Sequence, residues 1–242
     1  MEKITIIIDG KTVEAVKDQP VLMVAKENGI DIPNLCHHPE LESSGGSCRV
    51  CLVEAIQGGR SRIVTSCNYP VRKGLEVKTS TEQVLKIRKG VIELLLCRVP
   101  DSDVIRKLAA KYGIEEPRFF KDEGESNRYK CIACSLCTQI CEEVVGVSAI
   151  SMQNRGTEKA PGTPYHKDSQ TCIGCGACAY ACPTNAVSMK DIKDVRKIWG
   201  KKFKMVSCAV CGKPYIPEAQ VNWIVKTTGK DKAFFDKCPD HR

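Results

Sequence analysis

The sequence of 242 residues contains few aromatic residues and no long hydrophobic run. Aromatic residues make up 5% of it and the basic residues are scattered, so it lacks the basic stripe or aromatic platform typical of nucleic-acid-binding proteins. The longest apolar run, residues 91–96, includes Glu93 and is far too short to span a bilayer. The N-terminal MEKITIIIDG has no small-residue cleavage site of a signal peptide after it. We therefore expect a cytoplasmic protein with no nucleic-acid partner and no direct membrane insertion.

Motifs of bond-making chemistry are also missing from the sequence. It contains no G-x-G-x-x-G after a predicted strand, no Walker loop, and no serine or histidine constellation of the acyl-transfer kind. We therefore nominate no catalytic residue, and we expect any nucleotide or flavin site to lie on a partner chain. The formal charge of +8 counts the cysteines as neutral, so thiolates would lower it. A group of lysines predicts a solvated face or a surface for an acidic partner: Lys197, Lys201, Lys202 and Lys204.

Cysteine is abundant, at 16 residues, and most of it occurs in tight C-x2-C groups. Grouped cysteines of this kind favour metal thiolates in a reducing cytosol over disulfides. The pattern therefore predicts metal centres, and the spacing within each group indicates which kind.

The first 80 residues have the pattern of an α+β domain of the β-grasp kind. Strands are predicted at residues 3–8 and 12–16, joined by the tight-turn pair Asp9-Gly10. A short helix is predicted after Pro20, ending at Asn28-Gly29. Further strands are predicted at residues 50–56, 62–66 and 75–79.

Four cysteines inside this domain predict a [2Fe–2S] site. The intervals between them are 11, 2 and 15 residues, whereas the plant-type pattern has four residues in its first interval. The longer interval holds the glycine-rich segment 43–47, in which backbone N–H groups can approach cluster sulfurs. A four-cysteine zinc site is the alternative. The adjacent His37 and His38 do not supply a Rieske arrangement and are expected to be loop residues. The predicted ligands are Cys36, Cys48, Cys51 and Cys67.

Residues 127–192 contain two C-x2-C-x2-C-x3-C runs, CIACSLCTQIC and CIGCGACAYACP, separated by 30 residues. The spacing is that of a two-cluster bacterial ferredoxin, in which the fourth cysteine of each run ligates the other cluster. Each run precedes a similar phrase, VVGVSAISM or PTNAVSMK, which predicts a strand. Two separate zinc sites are the alternative, but they leave this repeat unexplained. The predicted ligands are Cys131, Cys134, Cys137 and Cys182 for one [4Fe–4S] cluster, and Cys141, Cys172, Cys175 and Cys178 for the other.

The last segment, residues 193–242, is predicted to be a linker followed by a small module held together by a metal. Residues 191–204 have the composition of a basic, polar connector, and the module after it is too small for a core of its own. Three cysteines and one histidine in two close pairs favour tetrahedral zinc. A fourth iron–sulfur cluster, a mononuclear iron and metal-free disorder are the alternatives. The predicted zinc ligands are Cys208, Cys211, Cys238 and His241.

The segments LCHHPEL, GGSCRVCLVE, TSCNYPV and TEQVLKIRKGVIELLL, with both cysteine runs, resemble a known family over about residues 1 to 190. They are similar to the N-terminal part of the large iron–sulfur subunit of respiratory complex I and to the small diaphorase subunit of NAD-reducing hydrogenases. The resemblance implies a subunit of a hetero-oligomeric complex that relays electrons between an NAD(P)H-binding flavoprotein subunit and another redox subunit or ferredoxin.

The chain departs from that family in residues 81–126, which are predicted to be a helical connector with helices at 81–96 and 102–112. The family has a further cluster here with one histidine and three cysteine ligands, but Val99 stands at the histidine position and no cysteine follows until Cys131. We expect that cluster to be absent, and Cys97 to be a buried thiol without a ligand role.

The leading hypothesis is an electron-transfer subunit with one [2Fe–2S] cluster, two [4Fe–4S] clusters and a zinc ion. One alternative is a subunit of an electron-bifurcating complex that uses NAD(P)H, ferredoxin and a third couple. Another is a zinc scaffold or assembly protein whose clusters have no redox role.

Overall fold

The computed structural model describes residues 2–41, 45–119 and 130–242 of the chain. They form two compact units, one ending at Ser135 and the other spanning Leu136–Arg242. Ser43 and Ser44 of the predicted glycine-rich segment lie outside the described residues, as do the end of the predicted connector and the start of the predicted ferredoxin-like domain.

The first unit is built on a mixed five-stranded sheet, as the α+β prediction requires. Its order is β2-β1-β5-β3-β4, with β1 and β5 parallel and the other pairs antiparallel. Asp9 and Gly10 have φ of 47° and 78°, the left-handed pair of a two-residue hairpin turn. The strands are β1 (Lys3–Ile8), β2 (Lys11–Val16), β3 (Leu52–Gln57), β4 (Arg60–Thr65) and β5 (Glu76–Lys78).

One helix covers the sheet and supplies much of the core. Helix α1 (Val21–Glu27) starts after Pro20, and its first two N–H groups donate to the carbonyls of Tyr69 and Ser66, both at 2.9 Å. Its apolar side chains meet the inward face of β1, where alternate isoleucines are buried. Exposed and buried residues alternate along β1, which is the period-two pattern of a strand with one face on the core.

The predicted helical connector consists of α2 (Glu82–Arg98) and α3 (Asp103–Lys111). Thr81 caps α2 by accepting a hydrogen bond from the N–H of Val84 at 3.4 Å. The two helices contact each other, and α2 also contacts β3. Val99 ends α2 and is fully buried, and Cys97 is buried with its thiol 3.5 Å from the carbonyl of Phe119.

The second unit begins with the short helix α4 (Leu136–Gln139), which continues into a π-helical turn, Ile140–Val144. The hairpin of β6 (Ser151–Gln153) and β7 (Ala160–Gly162) follows, and then helix α5 (Ala177–Tyr180). The strands predicted after the two cysteine runs are β6 and β8, but each pairs with the strand that follows it.

Residues 191–204, predicted to be a polar connector, are β-structure instead. They belong to an antiparallel sheet of order β11-β10-β9-β8. Alternation explains the difference: the exposed lysines on β9 and β10 alternate with buried Arg196, Ile198, Phe203 and Met205, which a composition count does not show. The strands are β8 (Met189–Ile192), β9 (Val195–Ile198), β10 (Lys201–Ser207) and β11 (Pro214–Pro217).

The C-terminal module follows this sheet directly. Helix α6 (Glu218–Thr228) contacts β10 and β11 and ends at Gly229 in the left-handed conformation. Two 3₁₀ turns complete the chain, Lys232–Asp236 and Pro239–His241. Within the described residues, every helix is too short or too polar to cross a membrane.

Candidate metal centres

The first cysteine group is gathered in the first unit with all four side chains buried. Cys36 follows α1, Cys48 and Cys51 lie in the loop before β3, and Cys67 follows β4. Their exposed fractions are between 0% and 3%. The N–H of Cys48 donates to the sulfur of Cys36 at 3.4 Å. The structure thus brings together the four residues that the sequence predicted as [2Fe–2S] ligands.

The four sulfurs are close enough to share protons. Hydrogen bonding from Cys48, and then from Cys67, lowers the pKa of Cys36 to about 2. The same bonds to Cys36 raise the pKa values of Cys48 and Cys67. A hydrogen bond from Cys67 lowers the pKa of Cys51 to about 6. Thiols in such contact share protons, and a bound metal or cluster would displace those protons. This behaviour is expected of a set of metal ligands.

The loop around this group contains backbone in the left-handed conformation, which is strained for residues with a side chain. Gly46 has a φ of 60°, and a Cβ there would lie 3.0 Å from the side-chain nitrogen of Asn68. Arg49, between two of the cysteines, is also left-handed at a φ of 58°. Left-handed conformations at non-glycine residues persist where the surroundings impose them, often at functional sites.

His37 and His38 lie beside this group in the loop, as expected. The Nε2 of His37 is 3.1 Å from the sulfur of Met23, and burial lowers the pKa of this histidine. The Nδ1 of His38 accepts from the N–H of Glu40 at 3.3 Å. Each ring nitrogen named here has a contact other than the cysteine group.

Arg88 on α2 supports the cysteine loop and was not singled out by the sequence reasoning. It is 2% exposed, and its guanidinium donates to the carbonyls of Val50 (3.0 Å), Leu52 and Thr79 (3.1 Å). Val50 and Leu52 flank Cys51, so the guanidinium holds the backbone on both sides of a predicted ligand. The sequence did contain a signal for this role: Arg88 falls on the buried face of α2, where a charged residue normally has a bonding partner.

The two ferredoxin-like runs have the same backbone conformation at equivalent positions. The second residue after the first cysteine is left-handed in both runs, Ala133 at 50° and Gly174 at 71°. The fourth residue is left-handed as well, Ser135 at 68° and Gly176 at 82°. Backbone of this kind turns successive N–H groups inward around an anionic centre. The internal repeat of the sequence is therefore also a repeat of backbone geometry.

One complete predicted set lies within the second unit, around a small cavity with mostly apolar walls. Burial raises the pKa values of Cys172 and Cys175, and raises that of Cys178 to about 11. The fourth member, Cys141, accepts from the N–H of Ala149 at 3.3 Å. Apolar walls around four sulfurs would limit the access of water to a bound cluster. All four cysteines of the predicted set line the cavity: Cys141, Cys172, Cys175 and Cys178.

The other predicted [4Fe–4S] set is divided between the two units. Cys131 and Cys134 belong to the first, Cys137 and Cys182 to the second. Within their own units, Cys131 accepts from the N–H of Ala133 at 3.4 Å, and Cys182 from that of Ala186 at 3.2 Å. The joint coordination by these four cysteines stays a prediction.

Strands β9 and β10 contact the loop of the second run. Arg196 donates to the carbonyls of Gly174 (3.2 Å) and Cys175 (3.3 Å), and Lys201 donates to those of Ser169 (2.9 Å) and Cys172 (3.3 Å). Lys201 was predicted to lie on a solvated or docking face, but its ammonium binds protein carbonyls instead. Sequence reasoning missed both roles because the partners lie 21 to 32 residues away.

The hairpin turn between these strands brings Trp199 to the same group. Its indole Nε1 donates to the sulfur of Cys178 at 3.3 Å, and the ring lines the cavity. Asp191 fixes the adjacent guanidinium of Arg196 with two hydrogen bonds of 2.8 Å, which lower the pKa of the aspartate.

The C-terminal group is gathered as predicted. Its four ligand atoms, from Cys208, Cys211, Cys238 and His241, lie within 4.8 Å of one another. The Nδ1 of His241 is 3.1 Å from the sulfur of Cys238. Backbone N–H groups, first that of Cys238, lower the pKa of Cys208 to about 6. Three sulfurs and one imidazole nitrogen at this spacing fit tetrahedral zinc.

Comparison with known families identifies two domains. Residues 1–82 match the family described as a 2Fe-2S iron-sulfur cluster binding domain, and residues 130–186 match the 4Fe-4S dicluster domain. The chain therefore carries one domain of each kind.

Curated relatives are subunits of NAD(P)-linked oxidoreductases. The NADP-reducing hydrogenase subunit HndD of Solidesulfovibrio fructosivorans is 34% identical over 77% of this chain and 36% of its own length. The NADPH-Fe(3+) oxidoreductase subunit alpha of Geobacter sulfurreducens is 33% identical over 86% of this chain and 26% of its own. The mitochondrial NADH dehydrogenase [ubiquinone] iron-sulfur protein 1 of Solanum tuberosum is 30% identical over 82% of this chain and 29% of its own. The chain thus spans about a third or less of these relatives.

A solved structure agrees with these relatives. A chain in the crystal structure of an NAD+-reducing [NiFe]-hydrogenase in the H2-reduced state matches with a TM-score of 0.66 and 25% identity. The match covers 75% of this chain and 85% of that one. These findings confirm the predicted resemblance: the chain is similar to subunits of NAD(P)-linked hydrogenases and to an iron–sulfur protein of NADH dehydrogenase.

Proposed function

We propose that this chain is an iron–sulfur electron-transfer subunit of a multi-subunit oxidoreductase. One observation carries the proposal: the same chain presents a buried four-sulfur group in its first unit and a second four-sulfur group around an apolar cavity in its second unit. Groups of four thiolates with backbone N–H donors are what [2Fe–2S] and [4Fe–4S] clusters need. Such clusters supply one-electron exchange when bound.

Residues of the chain would control how easily the bound clusters take up and release electrons. Buried cysteines keep the clusters away from water, and N–H groups directed at sulfur stabilise the negative charge on it. The proposed ligands are the predicted ones, including the set that is divided between the two units. A zinc ion at Cys208, Cys211, Cys238 and His241 would be redox-silent and would hold the C-terminal module together.

We further propose that the chain passes electrons between an NAD(P)H-linked flavoprotein subunit and another redox partner. The relatives are named as subunits of NAD(P)H-linked enzymes, which supports a hetero-oligomeric complex. A hydrogenase, a formate dehydrogenase or a ferredoxin would serve as the second partner. Sixteen cysteines, most of them grouped at metal-ligand spacing, favour a reducing compartment, which supports the expected cytoplasmic location.

The proposal is tested by anaerobic reduction of the full-length, iron-replete protein. Stepwise addition of a low-potential donor, followed by EPR spectroscopy, is expected to reveal a [2Fe–2S] signal and signals of two [4Fe–4S] clusters. Iron and sulfide should be present in the amounts of those three clusters. A silent spectrum in iron-replete protein would contradict electron transfer and favour the scaffold alternative. Activity of the native complex that requires ferredoxin and pyridine nucleotide at once would identify it as bifurcating.

A further inference from the structure

The structure places the indole of Trp199 against one predicted cluster ligand. Its Nε1 lies 3.3 Å from the sulfur of Cys178, within the range of an N–H···S hydrogen bond. The remainder of the ring lines the cavity that Cys178 shares with Cys141, Cys172 and Cys175. We propose that Trp199 is a positioning residue that raises the reduction potential of the [4Fe–4S] cluster at these four cysteines. This inference rests on the proposed function.

The conformation of Trp199 shows that the contact is imposed by the fold. The residue is left-handed, with a φ of 52°, and Gly200 beside it has a φ of 78°. The pair forms the two-residue turn of the β9–β10 hairpin, in which Ile198 pairs with Lys201. A bulky aromatic residue in this conformation is strained and is uncommon outside functional sites. The surrounding hairpin therefore holds the indole in a conformation that tryptophan rarely adopts by itself.

The two strands of the hairpin are anchored to the cysteine loop on either side of the turn. Arg196 on β9 binds the carbonyls of Gly174 and Cys175, and Lys201 on β10 binds the carbonyl of Cys172. Phe203 on β10 fills the space beside Gly174, where a Cβ would lie 2.6 Å from the ring. Because the loop is held at these points, the distance from Nε1 to the sulfur is fixed by both strands.

The effect of the hydrogen bond on the potential has a definite sign. An added electron increases the negative charge on the coordinating sulfurs, and an N–H donor stabilises the more negative state more strongly. Removal of the donor should therefore make the reduced state less favourable. A single hydrogen bond of this kind corresponds to about a threefold to tenfold change in the ratio of reduced to oxidised cluster at a fixed potential.

The experiment compares W199F with W223F in the full-length protein. Trp223 lies on α6 in the same unit, so its replacement removes an indole without touching the cavity. In an anaerobic EPR-monitored redox titration, W199F should shift one [4Fe–4S] transition to lower potential. The shift should correspond to the threefold to tenfold change in the ratio of reduced to oxidised cluster. W223F should titrate like the wild type. Unchanged potentials in W199F with all three clusters bound would overturn the proposal.

A second measurement decides the question if W199F fails to hold its clusters. In W223F protein labelled with ¹⁵N at the indole, Trp199 carries the only label, because the chain has two tryptophans. Pulsed EPR should then detect a coupling between one reduced [4Fe–4S] cluster and this ¹⁵N. No coupling in a protein that contains reduced clusters would overturn the proposal and leave the proposed function intact. Absence of reducible clusters from the wild type would instead contradict the proposed function itself.

Discussion

At the scale of single residues, the two cysteine runs show that backbone conformation belongs to the site and not to the amino acid. The second run uses glycine where the chain is left-handed, at Gly174 and Gly176. The first run adopts the same conformation with Ala133 and Ser135, at a cost that glycine avoids. Gly174 has a second reason to be glycine, because Phe203 occupies the space of its missing Cβ.

We therefore expect G174A and A133G to have opposite effects. G174A adds both left-handed strain and a contact of 2.6 Å with Phe203, so it should lower the stability of the cluster site by about 3 kcal/mol. A133G relieves strain and should stabilise its loop by less than about 1 kcal/mol. Cluster loss during urea titration, followed by visible absorption, measures both effects.

The control for G174A is G229A, at a glycine with a φ of 69° and nothing within 4 Å of its missing Cβ. This variant carries the backbone strain without the collision, so it should cost about 1 kcal/mol and leave the clusters bound. Equal cluster loss from G174A and G229A would show that contact with Phe203 has no role.

The residues that sequence analysis identified and missed differ in how local their signals are. Cysteine groups such as Cys172, Cys175 and Cys178 were predictable because the ligand type and the spacing can both be read from one short segment of the sequence. Trp199 and Arg88 were not, because their partners lie 21 and up to 38 residues away and are reached only through the tertiary fold.

At the scale of elements, two secondary structures outside the cysteine runs hold those runs in place. Helix α2 inserts Arg88 beneath the loop of Cys51, and its last residue, Arg98, donates to the carbonyl of Cys131 at 3.0 Å. Strand β10 has Lys201 at the cysteine loop and Ser207 next to the candidate zinc ligand Cys208. A single strand thus connects the C-terminal module with the second cysteine run.

This connection predicts that loss of zinc weakens the neighbouring cluster. In H241A the three remaining cysteines should lose zinc to a chelator at least tenfold faster, because one of the four tetrahedral ligands is missing. On the proposal that the module folds around zinc, β10 should then loosen and iron should be lost from the unit that contains Cys172. Metal analysis after chelation measures zinc and iron together.

The matched control is H166A, which removes an exposed histidine from a 3₁₀ turn of the same unit. It should keep both metals. H241C retains four ligands and should restore zinc binding. Iron loss that does not follow zinc loss across these three variants would show that the module and the cluster site are independent.

At the scale of the whole molecule, the sequence predicted the modules in their order along the chain but misjudged the segment after the second run. The α+β class followed from the predicted strands, the Asp9-Gly10 turn and the short helix after Pro20. The strands after the second run were not predicted, because the lysines on their exposed face give the segment the composition of a polar linker. The second run therefore belongs to a larger structure than a ferredoxin-like domain alone.

Because each unit has its own buried core, the [2Fe–2S] cluster and the [4Fe–4S] cluster whose ligands lie wholly in the second unit should assemble independently. In C51S the [2Fe–2S] signal should disappear while the signal of that [4Fe–4S] cluster remains. In C175S a [4Fe–4S] signal should be lost while the [2Fe–2S] signal persists.

The control is C97S, since the Cys97 thiol is buried at the carbonyl of Phe119 and lies outside every ligand set. It should keep all signals, and anaerobic EPR of the reduced proteins separates these cases. Loss of every signal in both C51S and C175S would instead mean that the clusters form as a single cooperative unit, and that neither core stabilises its site alone.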